Sequence, residues 1–240
     1  MAECSCCGAG CGHKLCMSKV PIFSALEGAE LIKIAPLIGH KSYQKGELLY
    51  REGEQLDSLV ILNEGSVKGY KIAPDGREQI LYVFSEGDFF GERNLFGGKA
   101  AAFSAEALEP VKTCTLSRDN FKELLRRYPE ISVKIIEELE ERLERLENTM
   151  QSIGVRSVDA RIAALLLDYT RKYGSRCPEG ITIRLPLSRE GMANSLGIAR
   201  ETVSRKLGQM ESDGVIRSLS GKNILLLNSS ALEAMAGKTE

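Results

Sequence analysis

The spacing of apolar positions divides the chain into stretches of different period. "FSALEGAELIKIAPLI" has apolar residues at helical spacing. From Gly46 the period shifts toward two. "GELLYREGEQLDSLVILNEGSVKGYKIAPDGREQILYVFSEGDFFGERNLFGG" reads as short strands broken by Gly, Asp and Asn turns. Within it, "APDGRE" is a hairpin signal between two alternating runs. Strand signals return at "FSAEALEPVKTCTLS". Regular turns over about 80 residues predict a compact antiparallel β barrel or roll.

The third stretch is a long helix beginning after Pro129. Ile136, Leu139, Leu143, Leu146, Met150 and Ile153 step by 3, 4, 3, 4 and 3, with Glu and Arg on either side. That is the seam of a coiled-coil dimer; the alternative is an amphipathic helix lying on its own domain. Gly154 interrupts the pattern. The last stretch alternates helix and strand signals. "SVDARIAALLLDYTRKYG" is a helix, and "CPEGITIRLPLS" is a loop and short strand. Ser188 can cap "REGMANSLG", and "IARETVSRKLGQMESDG" follows as a second short helix. A hairpin around Gly221 closes the pattern.

Composition adds a polarity to this order. The 240 residues are 43% hydrophobic and 27% charged, with net charge −1, as in ordinary globular proteins. Residues 1–150 carry 19 Lys/Arg against 24 Asp/Glu, and residues 151–240 carry 13 against 9. A basic C-terminal part points to nucleic acid. No apolar run reaches membrane-spanning length, and no apolar signal region follows the start, so a cytoplasmic protein is expected.

The two short helices around Gly197 form a helix-turn-helix pattern, and the hairpin after them makes it winged. Arg200, Glu201, Ser204 and Arg205 open the second helix on adjoining faces. Arg can grip guanine through two hydrogen bonds, and Glu can accept from cytosine. A solvated helix with an ordinary Glu201–Arg205 pair is the plainer alternative.

Cysteine use is uneven. Cys4, Cys6, Cys7, Cys11 and Cys16 crowd the first sixteen residues; Cys114 and Cys177 are the other two. A disulfide staple does not suit a cytosolic chain. A metal site does, and Gly8, Gly10 and Gly12 give the loop freedom to wrap one. Cys4-x-x-Cys7 has bare redox-motif spacing but lacks the βαβ order of thiol oxidoreductases, so an enzyme is not expected.

"LSREGMANSLGIARETVSRKLGQMESDGVI", with "GDFFGERNLF" and the long helix before it, resembles the CRP/FNR family of bacterial transcription regulators, and its iron–sulfur FNR-like branch in particular. The resemblance covers roughly residues 20–228. It implies an α+β fold with a double-stranded β-helix (a cupin-like β roll) as sensor over 20–128. A dimerisation helix over 129–156 and a winged helix-turn-helix over 157–240 follow, behind a cluster-binding segment over 1–19. It further implies a homodimer on palindromic double-stranded DNA with a TGA core, and RNA polymerase as a partner. The pattern Glu-x-x-Ser-Arg resembles the FNR branch and Arg-Glu-x-x-x-Arg the CRP branch; this helix satisfies both.

Relatives that bind cyclic AMP place a Glu in "GE" and an Arg-Ser pair about ten residues later, since a buried phosphodiester needs a cation and donors. Glu92 is present, but Ala101 and Ala102 stand at the pair's position; Lys99 and Arg93 are the nearby cations. Glu92 is therefore expected to cap backbone amides. Haem would need a ligand such as His13 or His40, and His40 is expected at the surface. The FNR-like branch implies a [4Fe–4S] cluster on three N-terminal cysteines and one from the roll. Cys16 stands just ahead of the sensor, and Cys114 follows Leu108-Glu109 by five residues, as that branch has it. The implied ligands are Cys7, Cys11, Cys16 and Cys114, with Cys4 and Cys6 as alternates. The spacing departs from the branch's Cys-x2-Cys-x5-Cys, and zinc would accept the same residues.

Overall fold

A computed structural model describes residues 20–24, 26–155 and 157–237. The chain forms two compact units. The first runs to Lys71 and resumes over Leu81–Leu143; the second comprises Ile72–Ile80 and the chain from Glu144 onward.

The first unit is built around two four-stranded antiparallel sheets. One has β1 (Ile38–Tyr43), β8 (Val111–Ser117), β3 (Ser58–Glu64) and β6 (Phe89–Phe90) in that order. The other has β2 (Leu48–Tyr50), β7 (Ser104–Ala107), β4 (Val67–Ile72) and β5 (Glu78–Phe84). This is the expected roll. Side chains alternate across a strand, and in β3 the alternation feeds two different cores. Val60 and Leu62 join Tyr50, Val67, Phe84, Phe90, Ala105 and Val111 inside the roll. Leu59 and Ile61 join Phe89, Cys114 and Leu116 on the opposite face.

That outer face is covered by three pieces of chain. Val20, Ile22 and Phe23 lie in it, followed by α1 (Gly28–Ile34) through Leu31 and Ile34. Phe121 and Leu124 come from α3 (Arg118–Arg127), which Ser117 caps by accepting from the Asn120 amide. Ile131 and Ile135 come from α4 (Glu130–Val155), and Leu139 packs against the same layer. The long helix is therefore two-faced. Ile131, Ile135 and Leu139 recur every four residues and lie on the roll. Ile136 and Leu143 stand on another face, 65% and 55% exposed. The plainer alternative thus holds for one face of the helix: Leu139, placed in the seam by sequence, packs against the roll, while Ile136 and Leu143 stay exposed. Helix α4 continues through Gly154, and the seam side chains of Met150 and Ile153 lie outside the described ones.

Residues 92–97, read from sequence as part of the strand stretch, are a short helix, α2 (Glu92–Gly97). Gly91 at φ 97° turns the chain out of β6. A Cβ there would come within 2.7 Å of the Ser58 carbonyl, so only glycine fits.

The second unit has α5 (Val158–Tyr173), α6 (Arg189–Leu196), α7 (Arg200–Ser212) and α8 (Ser229–Met235) beside a sheet ordered β11 (Ile216–Ser218), β12 (Asn223–Leu226), β10 (Gly180–Arg184), β9 (Gly174–Cys177). Cys177, expected in a loop, sits in β9 opposite Gly180. Among the described residues no helix is long and apolar enough to cross a membrane.

Because Ile136 and Leu143 contribute little to the fold of one chain, Ile136→Glu with Leu143→Glu is expected to leave the melting temperature of the monomer nearly unchanged. It should weaken self-association at least about tenfold in sedimentation equilibrium, since like charges would face each other across the seam.

Candidate functional site

The recognition element starts from a cap. The Ser188 hydroxyl accepts from the Gly191 amide at 3.1 Å and begins α6. Gly197 at φ 64° ends α6, and α7 follows after two residues. Val203, Leu207 and Met210 are buried and fix which face of α7 looks inward. Arg200, Glu201 and Arg205 are exposed, with Ser204 partly so.

Neither Glu201–Arg205 nor any other side-chain pair ties down these four among the described residues. The plainer alternative, an internal ion pair, is thus not formed. The other cations on these helices behave differently. Lys206 Nζ is 2.7 Å from Asp159 Oδ2, joining α7 to α5. Arg161 donates to the Leu196 carbonyl at 3.0 Å. Lys206 and Arg161 hold the helix-turn-helix together, while Arg200 and Arg205 are exposed and make no side-chain pair among the described residues.

The wing is held by a residue that sequence reading passed over. Glu211, near the end of α7, accepts from the Ser218 amide at 2.8 Å and from its hydroxyl at 3.0 Å. These bonds hold the Glu211 carboxyl below its ordinary range. They clamp the first wing strand to the end of α7. No local pattern marks such a carboxylate.

Inside the roll, Glu92 does not serve chiefly as a cap, as expected from sequence. Its Oε1 is 3.4 Å from Arg142 Nη1, and Arg142 Nη2 donates to the Phe89 carbonyl at 2.9 Å. The guanidinium lies over the Phe84 and Phe89 rings at 5.4 and 5.2 Å, a cation–π geometry. Both side chains are largely buried, and burial with the Glu92 charge nearby pushes the Tyr50 phenol well up. Tyr50, Phe84, Phe90 and Phe103 pack against one another with centroids 5.0–5.9 Å apart. Ala101 is buried beside them, and Arg93 and Lys99 are exposed.

Cys114 is on the outer face of the same unit. It lies opposite His40 on β1 and Ile61 on β3. Its Sγ is 3.6 Å from His40 Nδ1, and the His40 Nε2 is buried. His40 is thus half-buried against a thiol, not a surface residue. Val20, Ile22 and Phe23 share the apolar layer with Cys114. The candidate ligands Cys4, Cys6, Cys7, Cys11 and Cys16, and His13, lie outside the described residues. Among the described residues no group of three or more metal-binding side chains occurs. A thiol with an imidazole beside it is donor chemistry suited to iron–sulfur or zinc sites. Cys177 belongs to the other unit and is exposed.

Comparison with known proteins identifies both parts. Residues 40–128 match the family model "Cyclic nucleotide-binding domain", and residues 160–235 match "Crp-like helix-turn-helix domain". The chain is 33% identical over 215 residues to the nitrogen fixation regulation protein FixK of Bradyrhizobium diazoefficiens, covering 90% of this chain and 89% of that one. It is 29% identical to a CRP-like cAMP-activated global transcriptional regulator of Mycobacterium tuberculosis (92% and 98% covered). It is also 29% identical to the fumarate and nitrate reduction regulatory protein of Salmonella typhimurium (93% and 89% covered). The solved structure of FixK2 from Bradyrhizobium japonicum superposes with TM-score 0.74 at 27% identity, covering 82% of this chain and 96% of that one. Relatives carrying three different names thus stand at nearly equal distance. Their shared architecture, together with the exposed charges of α7, defines what this chain is: it belongs to the CRP/FNR family of DNA-binding transcription regulators and is not an enzyme.

Proposed function

We propose that this regulator senses oxygen, nitric oxide or redox state through a [4Fe–4S] cluster held by Cys7, Cys11, Cys16 and Cys114, with Cys4 and Cys6 as alternates. We further propose that the homodimer binds palindromic TGA-containing DNA through Arg200, Glu201, Ser204 and Arg205. The observation that supports the sensor is the face on which Cys114 sits. Strand alternation could have turned it into the roll. Instead it shares one apolar layer with Val20–Phe23, where the chain emerges from its cysteine-rich segment, and with Ile131 and Ile135 of α4. Cys16 precedes Val20 by four residues, and four residues span at most about 14 Å.

Bound between these thiolates, a cluster supplies iron–sulfur bonds that oxidants break. The chain's own residues do the rest. Cys7, Cys11 and Cys16 would hold the group together with Cys114 and so tie the N-terminal segment to the roll. The tether holds Ile22 and Phe23 in the layer that also seats Ile131, Ile135 and Leu139. Release of the thiolates loosens that layer and the base of α4. Ile136 and Leu143 then meet their counterparts less well. A dimer on two half-sites gains affinity because the second contact is intramolecular, and separated chains lose that gain.

A second reading, a small effector in the roll, is favoured by one atom: Glu92 Oε2 is buried without a partner among the described residues. Arg142 already occupies the neighbouring space, and the positions that grip a phosphate are Ala101 and Ala102. Cyclic AMP at about 1 mM is therefore expected to leave the melting temperature unchanged; a rise of several degrees would favour the second reading.

Two further outcomes are expected. Cys114→Ser, purified without air, should fold but retain less than half of the wild-type iron, whereas Cys177→Ser should retain all of it. Arg200→Ala, and separately Glu201→Ala, should weaken binding to a TGA palindrome by about 1–3 kcal/mol, measured by fluorescence anisotropy, while affinity for unrelated DNA changes less.

A further inference from the structure

Cys114 has a neighbour of its own chemistry. His40 is its directly opposed partner across the β1–β8 ladder, and Nδ1 faces the sulfur at 3.6 Å. The two residues are 74 positions apart, so regular pairing of two strands brings them together. The approach of the strands is close here. A Cβ at Gly39 would come within 2.7 Å of Thr115 Oγ1, so the position before His40 carries no side chain. Ile38, on the same face as His40, packs against the outer core. The ring is thus held on the thiol by a sheet and its packing, where a loop would hold it less rigidly. On its other flank Cys114 meets the apolar Ile61.

We infer that His40 is a positioning residue for the iron–sulfur group: its Nδ1–H donates a hydrogen bond to the Cys114 sulfur and sets how readily the group is oxidised. The inference rests on Cys114 being a ligand, as proposed above. A hydrogen bond to a ligating thiolate withdraws electron density from sulfur, which favours the more reduced state. In the first step of air oxidation one electron leaves the iron–sulfur group, which is oxidised, and reduces dioxygen to superoxide. Without the His40 donor that electron leaves more easily.

The test uses the full chain, reconstituted with iron and sulfide without air, as wild type, His40→Ala and His40→Asn. Iron and acid-labile sulfide are assayed, and loss of the visible band near about 400 nm is followed after a fixed pulse of oxygen. All three proteins should carry the same iron. His40→Ala should bleach about three- to tenfold faster, the scale of one lost hydrogen bond. His40→Asn, whose amide can place an N–H near the former Nδ1, should bleach close to the wild-type rate. Equal iron with equal bleaching in His40→Ala overturns the inference while the cluster stands. Loss of iron in His40→Ala and its retention in Cys177→Ser also overturns it, because His40 would then be a ligand. A Cys sulfur and a His nitrogen on one tetrahedral zinc would sit about 3.6 Å apart as well. Wild-type protein that holds zinc and no sulfide after reconstitution therefore overturns both the inference and the cluster beneath it.

Discussion

The sheet ordered β1-β8-β3-β6 is apolar on both faces, and the rest of the first unit depends on that. A sheet so placed must find two covers. The second sheet closes one face and makes the roll. The other face takes the N-terminal segment from Val20, helix α3 and the first turns of α4. One layer thus receives Val20, Ile22 and Phe23 together with the first turns of α4. Strand parity then decides which residues can speak to that layer. Val60 and Leu62 cannot; Leu59, Ile61, Cys114 and Ile38 can, with His40 on the same face. Val20, Ile22 and Phe23 share that single core with Ile131 and Ile135, so the proposed signal needs no long relay.

Charge is divided by the same economy in both units. Arg142 is used internally, against Glu92, the Phe89 carbonyl and two ring faces. Lys206, Arg161 and Glu211 are used internally to set the angle of α7 and the wing. Arg200, Glu201 and Arg205 are not used. Long charged side chains left exposed on a rigid helix face are what a DNA groove can recruit without first breaking a bond.

Much of this was legible in the sequence, because it is carried by local periodicity. The period-two run gave the roll, and the heptad gave α4. Ser188 and Gly197 gave the bounds of α6. What was not legible is carried by pairing at a distance. Glu92 and Arg142 are 50 residues apart, and His40 and Cys114 are 74 apart; no window contains either pair. Strand β9, "GSRC", has no apolar alternation and is a strand only through its pairing with β10. Helix α2 is six residues long and begins at a left-handed glycine amid aromatic residues that read as strand. Leu139 fits a heptad and also a four-residue stripe, and only the fold shows that it serves the second. The sensor chemistry proposed above rests on the cysteines of the sequence, since the relatives are nearly equidistant.

The most direct test is the visible spectrum of the protein purified without air, with iron and acid-labile sulfide assayed before and after exposure. The account predicts a broad band near about 400 nm, close to about four irons and four sulfides per chain, and bleaching in air accompanied by a fall in dimer content. A colourless protein whose dimer content is indifferent to air would contradict it.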